Sequence, residues 1–249
     1  MRRIHIYLIP VLFAALLLAG CAGGPKPVTK AAKIYHQAYN AMITERWNAA
    51  AAKYRQLLAT YPFGKYATQS RLNLIYTYFR AGMPEEAGRQ ADSFARENQA
   101  SPYVPYALYI KGVAYAMAMQ PGLLDKAFIV DMSRRDPRDQ QQAFAAFKQL
   151  VTRYPKSAYA QPAKRWMVYV RNRLARFNLG LARFYFRRKE WVAAANRAAI
   201  IITRFPRTPA AKPALKILAQ SYRALGEKKL AAAAAGYYRY NFQLKTPPA

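Results

Sequence analysis

The sequence predicts an all-α fold, a helical solenoid of about five helix pairs. Between residues 30 and 244 apolar residues recur every three to four positions, and no segment alternates as a half-buried strand would. Three segments also place an alanine twelve residues before a proline, at Ala50 and Pro62, at Ala143 and Pro155, and at Ala194 and Pro206. A small residue lets two helices approach closely and proline ends a helix, so the spacing is typical of tetratricopeptide-like repeats.

The first 20 residues have the pattern of a secretory signal peptide. An Arg-Arg pair precedes an almost wholly apolar run over residues 4–18, shorter than the ~20 residues that a membrane span needs. Cys21, the only cysteine, follows this run in the tetrapeptide Leu-Ala-Gly-Cys, which resembles the lipobox of bacterial lipoproteins. We expect residues 1–20 to be removed and Cys21 to carry the lipid. Ala22 in place of aspartate indicates the outer membrane. The alternative is an ordinary secreted protein in which Cys21 has no role.

Residues 21–29 are predicted to be a lipidated N-terminus and linker, because they lack periodicity and contain glycine and proline. The domain from residue 30 to residue 244 follows. Its first repeat spans about 31–62, with Ala38 at the small position of the first helix. Its second spans about 65–99, with a turn at Gly82 and a second helix that starts at Pro84, a residue suited to the first helical turn.

The last three repeats are less regular. The third spans about 103–155 and contains an insertion at 120–136, which we expect to be a partly ordered loop. The fourth spans about 159–206 and begins with an unusually long helix over 159–188, with Ala182 at the small position. The fifth spans about 209–242 and is broken at Gly226. The tail at 245–249 contains two prolines and cannot continue the helix.

Charge and chemistry indicate a binding protein. Forty Lys and Arg against 11 Asp and Glu give a net charge of +29, which favours acidic partners such as phosphate groups, an acidic protein face or nucleic acid. The same basic residues are equally compatible with solvated helix faces. The scarcity of acidic residues is compatible with an acidic periplasm. His36 is the only histidine after the signal, and no catalytic, phosphate-binding or metal-binding motif is present. We therefore expect no enzyme activity, no metal and no cofactor apart from the lipid.

Six segments carry a more specific resemblance. They lie at residues 61–66 (Tyr-Pro-Phe-Gly-Lys-Tyr), 72–79, 109–112, 131–137, 171–175 and 191–197. In this order they resemble the BamD family of lipoproteins, which belong to the β-barrel assembly machinery of the outer membrane. The resemblance covers nearly all of the chain after the signal. One departure is Phe177-Asn178, where the family has acidic residues at its surface.

The resemblance implies a curved array whose C-terminal half docks on a POTRA domain of the barrel protein BamA and on accessory lipoproteins. By motif, Arg171, Arg173 and Arg197 are expected on the BamA side. The N-terminal repeats are expected to receive the C-terminal targeting strand of unfolded outer-membrane proteins. The residues expected to line or frame that surface are Tyr61, Phe63, Tyr66, Tyr76 and Tyr78.

Two alternative functions remain open at this point. One is a competence-type lipoprotein, in which the basic residues and tyrosines would provide phosphate contacts and base stacking on DNA. The other is a general periplasmic scaffold, associated with peptidoglycan or with an envelope enzyme, since a repeat fold does not fix a function.

Overall fold

The computed structural model describes residues 29–118 and 137–242, which form α-helices and no β-strand. In chain order the helices are α1 (Lys30–Ile43), α2 (Trp47–Thr60), α3 (Ala67–Arg80), α4 (Pro84–Glu97), α5 (Val104–Met117), α6 (Arg138–Arg153), α7 (Ala160–Arg187), α8 (Trp191–Arg204), α9 (Ala211–Ala224) and α10 (Lys228–Phe242). The predicted all-α fold is confirmed. The signal peptide, Cys21, the linker up to residue 28, the insertion at 120–136 and the tail at 245–249 lie outside the described residues.

The helices pack as a solenoid of pairs. Each described helix contacts the next one along the chain, and the first helices of successive pairs also pack on each other, α3 on α5, α5 on α7 and α7 on α9. The core consequently runs along the array as consecutive hydrophobic clusters rather than as one central cluster. Each repeat therefore depends on its neighbours for stability.

The alanines of the repeat spacing lie in the core between packed helices. Ala50, Ala143 and Ala194 in the second helices have no exposed surface, and neither have Ala38 and Ala182 in the first helices. A larger side chain at any of these positions would push two helices apart.

In four of the pairs, the same type of turn joins the first helix to the second. The residue with positive φ in each turn is Glu45 (57°), Gly82 (72°), Lys189 (61°) or Gly226 (80°). The N–H of the next residue donates to the carbonyl five positions earlier, at 2.9–3.0 Å. This is the Schellman closure, which usually places glycine in the left-handed position. Two of the four turns use Glu or Lys instead, so they carry no glycine signal in the sequence.

Helix α7 joins two parts of the core. It has 28 residues, which corresponds to a length of about 42 Å. Its N-terminal part, up to Leu174, packs into the core formed by α3–α6, whereas its C-terminal part, from Ala175, packs with α8, α9 and α10. A surface at the junction of the two parts is therefore built from residues that are distant in the sequence. Within the described ranges, no helix is both long enough and apolar enough to cross a membrane.

Gly112 of α5 offers a direct test of this packing. A Cβ atom built at Gly112 would lie 2.5 Å from Cε1 of the fully buried Phe147 of α6. Gly112→Ala is therefore expected to lower the free energy of unfolding by about 1–3 kcal/mol, the usual range for overpacking. Chemical denaturation of the purified protein measures the effect.

Gly236 of α10 is the matched control, because a Cβ atom there would meet no atom within 4 Å. Gly236→Ala is expected to leave stability unchanged or to raise it by up to about 1 kcal/mol, since alanine is the better helix former. Equal effects of the two substitutions would contradict the proposed contact between α5 and α6.

Candidate functional site

A cleft of about 640 Å³ lies at the junction of the two parts of the core, between α6, α7 and α8. Four cationic side chains line it, Lys148 from α6, Arg171 from α7, and Arg197 and Arg204 from α8. None of the described residues that line it is Asp or Glu. We call this cleft the basic cleft.

The floor and walls of the basic cleft are apolar. The residues that provide them are Phe144, Leu174, Phe177, Ile200 and Phe205. Apolar walls exclude water and lower the local dielectric constant, so a charge held between them interacts more strongly than at an open surface. The arrangement favours an anionic group attached to an apolar body, such as a carboxylate side chain on a folded partner.

The four cations of the basic cleft have no acidic partner in the described part of the chain. The Nε atom of Arg171 is buried and makes no hydrogen bond with any described residue. A buried donor without a partner costs about 1–3 kcal/mol, and an incoming carboxylate would recover this free energy. The cleft thus has the chemistry of an anion-binding site.

The structure separates the three arginines expected on the BamA side. Arg171 and Arg197 lie together in the basic cleft, whereas Arg173 lies on another face of α7. There the Arg173 guanidinium donates a hydrogen bond to the hydroxyl of Tyr169 at 2.9 Å and lies 5.7 Å from the centre of that ring. A step of two residues turns a helix by about 200°, so Arg171 and Arg173 cannot share a face.

Sequence reasoning missed Lys148 and Arg204. Arg204 follows Arg197 by seven residues, which is about two helical turns, so this spacing alone could have placed both on one face of α8. Lys148 comes from another repeat and carries no such signal. The departure noted at Phe177-Asn178 also falls in this cleft, where both residues lie among its lining.

The five aromatic residues expected at the receiving surface are dispersed. Tyr61 follows α2 and is half-buried, and Phe63 in the following loop is 94% exposed. Tyr66 and Tyr76 are half-buried at opposite ends of α3, and Tyr78 is only 8% exposed, in the core. Phe63 therefore offers the most apolar surface to a ligand. Tyr78 can frame such a surface from behind but offers almost no ring to it.

Tyr66 belongs to an aromatic cluster at the N-terminal end of the array. Its ring stacks on Tyr35 of α1, with 4.8 Å between centroids, and Tyr35 also contacts Tyr39 and the buried Tyr54. The amide of Asn73 donates a hydrogen bond to the Tyr54 hydroxyl at 2.8 Å, and burial raises the pKa of Tyr54. The buried hydrogen bond fixes α2 against α3, so the more exposed tyrosines stand on a rigid support.

Tyr76 belongs to a second group, around Arg80. The Arg80 guanidinium lies 4.6 Å from the centre of the Trp47 ring, donates to the Tyr76 hydroxyl at 2.8 Å and pairs with Glu45 at 3.2 Å. Aromatic rings and a carboxylate thus already occupy this arginine. Tyr66 and Tyr76 therefore belong to two separate aromatic clusters. A single ligand that contacts both tyrosines would have to span the two clusters.

The described ranges contain no group of three or more His, Cys, Asp or Glu that could hold a metal ion. His36 contacts the rings of Tyr35 and Tyr66, with centroid distances of 5.7 Å and 6.5 Å, and is exposed.

Comparisons with known proteins cover nearly all of the chain. Residues 27–236 match a family described as "YfiO: Outer membrane lipoprotein". Three relatives are each named outer membrane protein assembly factor BamD. The protein from Vibrio cholerae is 36% identical over 86% of this chain and 90% of its own length. The protein from a strain of Xylella fastidiosa is 33% identical over 91% of this chain and 78% of its own length. The protein from Haemophilus influenzae is 30% identical over 93% of this chain and 88% of its own length. These matches confirm the resemblance drawn from the sequence motifs, and the chain belongs to the YfiO family of outer-membrane lipoproteins, together with these BamD proteins.

Proposed function

We propose that the chain is an assembly factor for outer-membrane β-barrel proteins, anchored by a lipid on Cys21 and facing the periplasm. The names of its relatives support the assembly role, and the lipobox-like sequence before Cys21 supports the anchor. The described helical repeats supply binding surfaces, so the protein would act by holding its partners together.

The basic cleft is the observation that carries the finer part of this proposal. We infer that it receives an acidic side chain from a POTRA domain of BamA. Arg171 and Arg197 would contact the carboxylate, and Lys148 and Arg204 would widen the positive field at the mouth of the cleft. Charge-assisted hydrogen bonds from arginine to carboxylate are among the stronger polar contacts in proteins. Accessory lipoproteins would dock on the same C-terminal half.

The N-terminal repeats are the proposed receiving end for unfolded substrates. The targeting strand of an outer-membrane protein is extended and ends in an aromatic residue and a carboxylate, as the family resemblance implies. The exposed Phe63 and the half-buried rings of Tyr61, Tyr66 and Tyr76 would contact its apolar side chains. A tyrosine buries ring area and keeps a hydroxyl for hydrogen bonding, which suits the exposed backbone of such a strand.

Site-specific cross-linking in cells tests both ends at once. A photo-reactive amino acid at position 63 is expected to capture newly made outer-membrane proteins, and one at position 148 is expected to capture BamA. Capture of substrate at position 148 and of BamA at position 63 would reverse the assignment. Absence of BamA from both positions, and from material co-purified with the tagged protein, would refute the assembly role.

DNA binding is the second candidate, because the basic charge is concentrated in one half. Residues 137–242 contain 22 Lys and Arg against three Asp and Glu, whereas residues 29–118 contain 11 against five. Contacts to phosphates would make the affinity for duplex DNA fall steeply with salt. Tight, steeply salt-dependent binding of DNA together with failure to recover BamA would favour this function over the first.

A further inference from the structure

A second cleft, of about 370 Å³, opens between α5 and α7 and takes no part in the function proposed above. It is lined by Tyr109 of α5 and by Pro162, Arg165, Trp166 and Tyr169 of α7. We call it the aromatic groove. It lies on the first helices of two successive pairs and on the face of α7 that also carries Arg173, whereas the basic cleft lies on the face of Arg171.

The rings of the aromatic groove are held in place from behind. Trp166 stacks on the fully buried Phe147, with 6.1 Å between centroids and 10° between ring planes, and meets Tyr169 edge to face at 5.4 Å. Tyr109 packs against Tyr159 at 5.3 Å. Side chains locked by packing lose little conformational entropy when a ligand binds, so the groove is preorganised.

The polar groups of the aromatic groove are hydrogen-bond donors. Trp166 Nε1 donates to the Tyr109 hydroxyl at 3.3 Å, and the Arg173 guanidinium donates to the Tyr169 hydroxyl at 2.9 Å. Both hydroxyl oxygens therefore accept a hydrogen bond, and neither hydroxyl proton is donated to another described residue. Arg165 adds further donors and makes no ion pair within the described part of the chain. No lining side chain is a carboxylate or an amide.

A donor-rich aromatic groove selects for a ligand that brings acceptors and no donors. An ordinary extended peptide brings backbone N–H groups, and each one buried against the groove without an acceptor would cost about 1–3 kcal/mol. Proline has no N–H, and a proline-rich segment adopts the polyproline II conformation, with its carbonyl groups free and its rings exposed. Flat aromatic walls pack well on proline rings, as in other domains that bind such segments.

We propose that the aromatic groove binds an extended, proline-rich segment of a partner protein, with an acidic residue placed beside Arg165. The proline rings pack on Tyr109, Trp166 and Tyr169, and the Tyr109 and Tyr169 hydroxyls donate to backbone carbonyls of the segment. The charge of Arg165 and the general basic character of this half of the chain complement the acidic residue.

Fluorescence anisotropy of the purified chain with two labelled peptides tests the proposal. One peptide has two glutamates followed by six prolines, and the control has the same glutamates followed by three Gly-Ser pairs. The proline peptide is expected to bind at least about tenfold more tightly. Because the two peptides share charge and length, this difference would report the contribution of the prolines. Equal binding of both would show that charge alone attracts them, and would overturn the proposal.

Three variants locate the site. The double substitution Tyr109→Phe and Tyr169→Phe keeps both rings and removes both hydroxyls, so affinity for the proline peptide should fall about tenfold. Arg165→Gln should weaken binding of the glutamate-containing peptide but not of six prolines alone. Tyr237→Phe, at a half-exposed tyrosine on α10, is the control and should change nothing. Thermal unfolding of each variant establishes that it folds.

Two results would contradict the proposal even with folded variants. One is proline-peptide affinity unchanged by the double substitution, which would place the site elsewhere. The other is binding of a soluble peptidoglycan fragment, rather than the proline peptide, in a manner sensitive to the double substitution. That result would assign the aromatic walls to sugar stacking.

Discussion

Arg197→Glu is expected to abolish binding of the BamA POTRA domain while leaving the helical domain folded. Arg197 lines the basic cleft, is half-buried and has no acidic partner in the residues described. Removing one member of a buried, hydrogen-bonded charge pair costs about 2–5 kcal/mol at an interface, and reversing its sign adds repulsion. Calorimetric titration of the purified chain with the isolated POTRA domain measures the loss.

The control for this substitution is Arg176→Glu. Arg176 lies on α7 but is exposed and does not line the basic cleft. The substitution Arg176→Glu changes the net charge by the same amount as Arg197→Glu. It therefore shows how much of the binding depends on overall charge rather than on the cleft. An exposed charge is worth at most about 1 kcal/mol in a specific contact. Equal losses from Arg176→Glu and Arg197→Glu would contradict a specific role for the cleft.

Cys21→Ala is expected to release the protein from the outer membrane. A single acyl chain gives only marginal membrane binding and several chains give stable anchoring, so loss of the acylated residue should move the protein to the soluble fraction. Cys21 precedes α1, the first helix in the described ranges, which begins at Lys30, so the content of the described helices should be unchanged. Membrane fractionation followed by circular dichroism of the soluble protein measures both outcomes.

Lys26→Ala in the linker is the control for the anchor, because it changes a charged residue near Cys21 without removing the thiol. It should fractionate with the outer membrane as the unaltered protein does. The linker from residue 22 to residue 29 has eight residues and spans at most about 28 Å when extended. The first repeats would therefore stay near the membrane surface. Full retention of the Cys21→Ala protein in the outer membrane would contradict the proposed anchor.

The fold could be predicted from the sequence because its signals are local. The alanine-to-proline spacing marks the second helices of three pairs, and those alanines are fully buried in the structure. The long helix expected over 159–188 is observed as Ala160–Arg187. Features without a local signal could not be predicted. The turns at Glu45 and Lys189, for example, adopt positive φ without a glycine to mark them.

The candidate sites could be predicted only in part, because they combine residues from different repeats. Arg171 and Arg197 were expected to share a role from the family motifs, and they do share a cleft. Lys148 joins them only through the packing of α6 on α7, which no sequence spacing shows. The aromatic groove was missed for the same reason, since Tyr109 and Trp166 are 57 residues apart. Helical periodicity could have separated Arg173 from Arg171.

The two halves of the array differ in a way that fits separate roles. Among the described residues 29–118, four of the five acidic residues form ion pairs, such as Asp92 with Lys111 at 2.7 Å, and aromatic side chains such as Phe63 are exposed. The C-terminal half has far more cations than acids and contains the basic cleft. In the proposed function, a substrate recognised mainly by apolar contacts and a partner recognised mainly by charge would therefore bind separate surfaces without competing.

Depletion of this protein, followed by quantification of β-barrel proteins in the outer membrane, tests the central claim most directly. The proposed function predicts that folded β-barrel proteins fall in the outer membrane while unfolded forms accumulate in the periplasm. A plasmid copy of the unaltered chain should restore them, and the Arg197→Glu chain should not. Unchanged amounts of folded β-barrel proteins after complete depletion would contradict the assembly function.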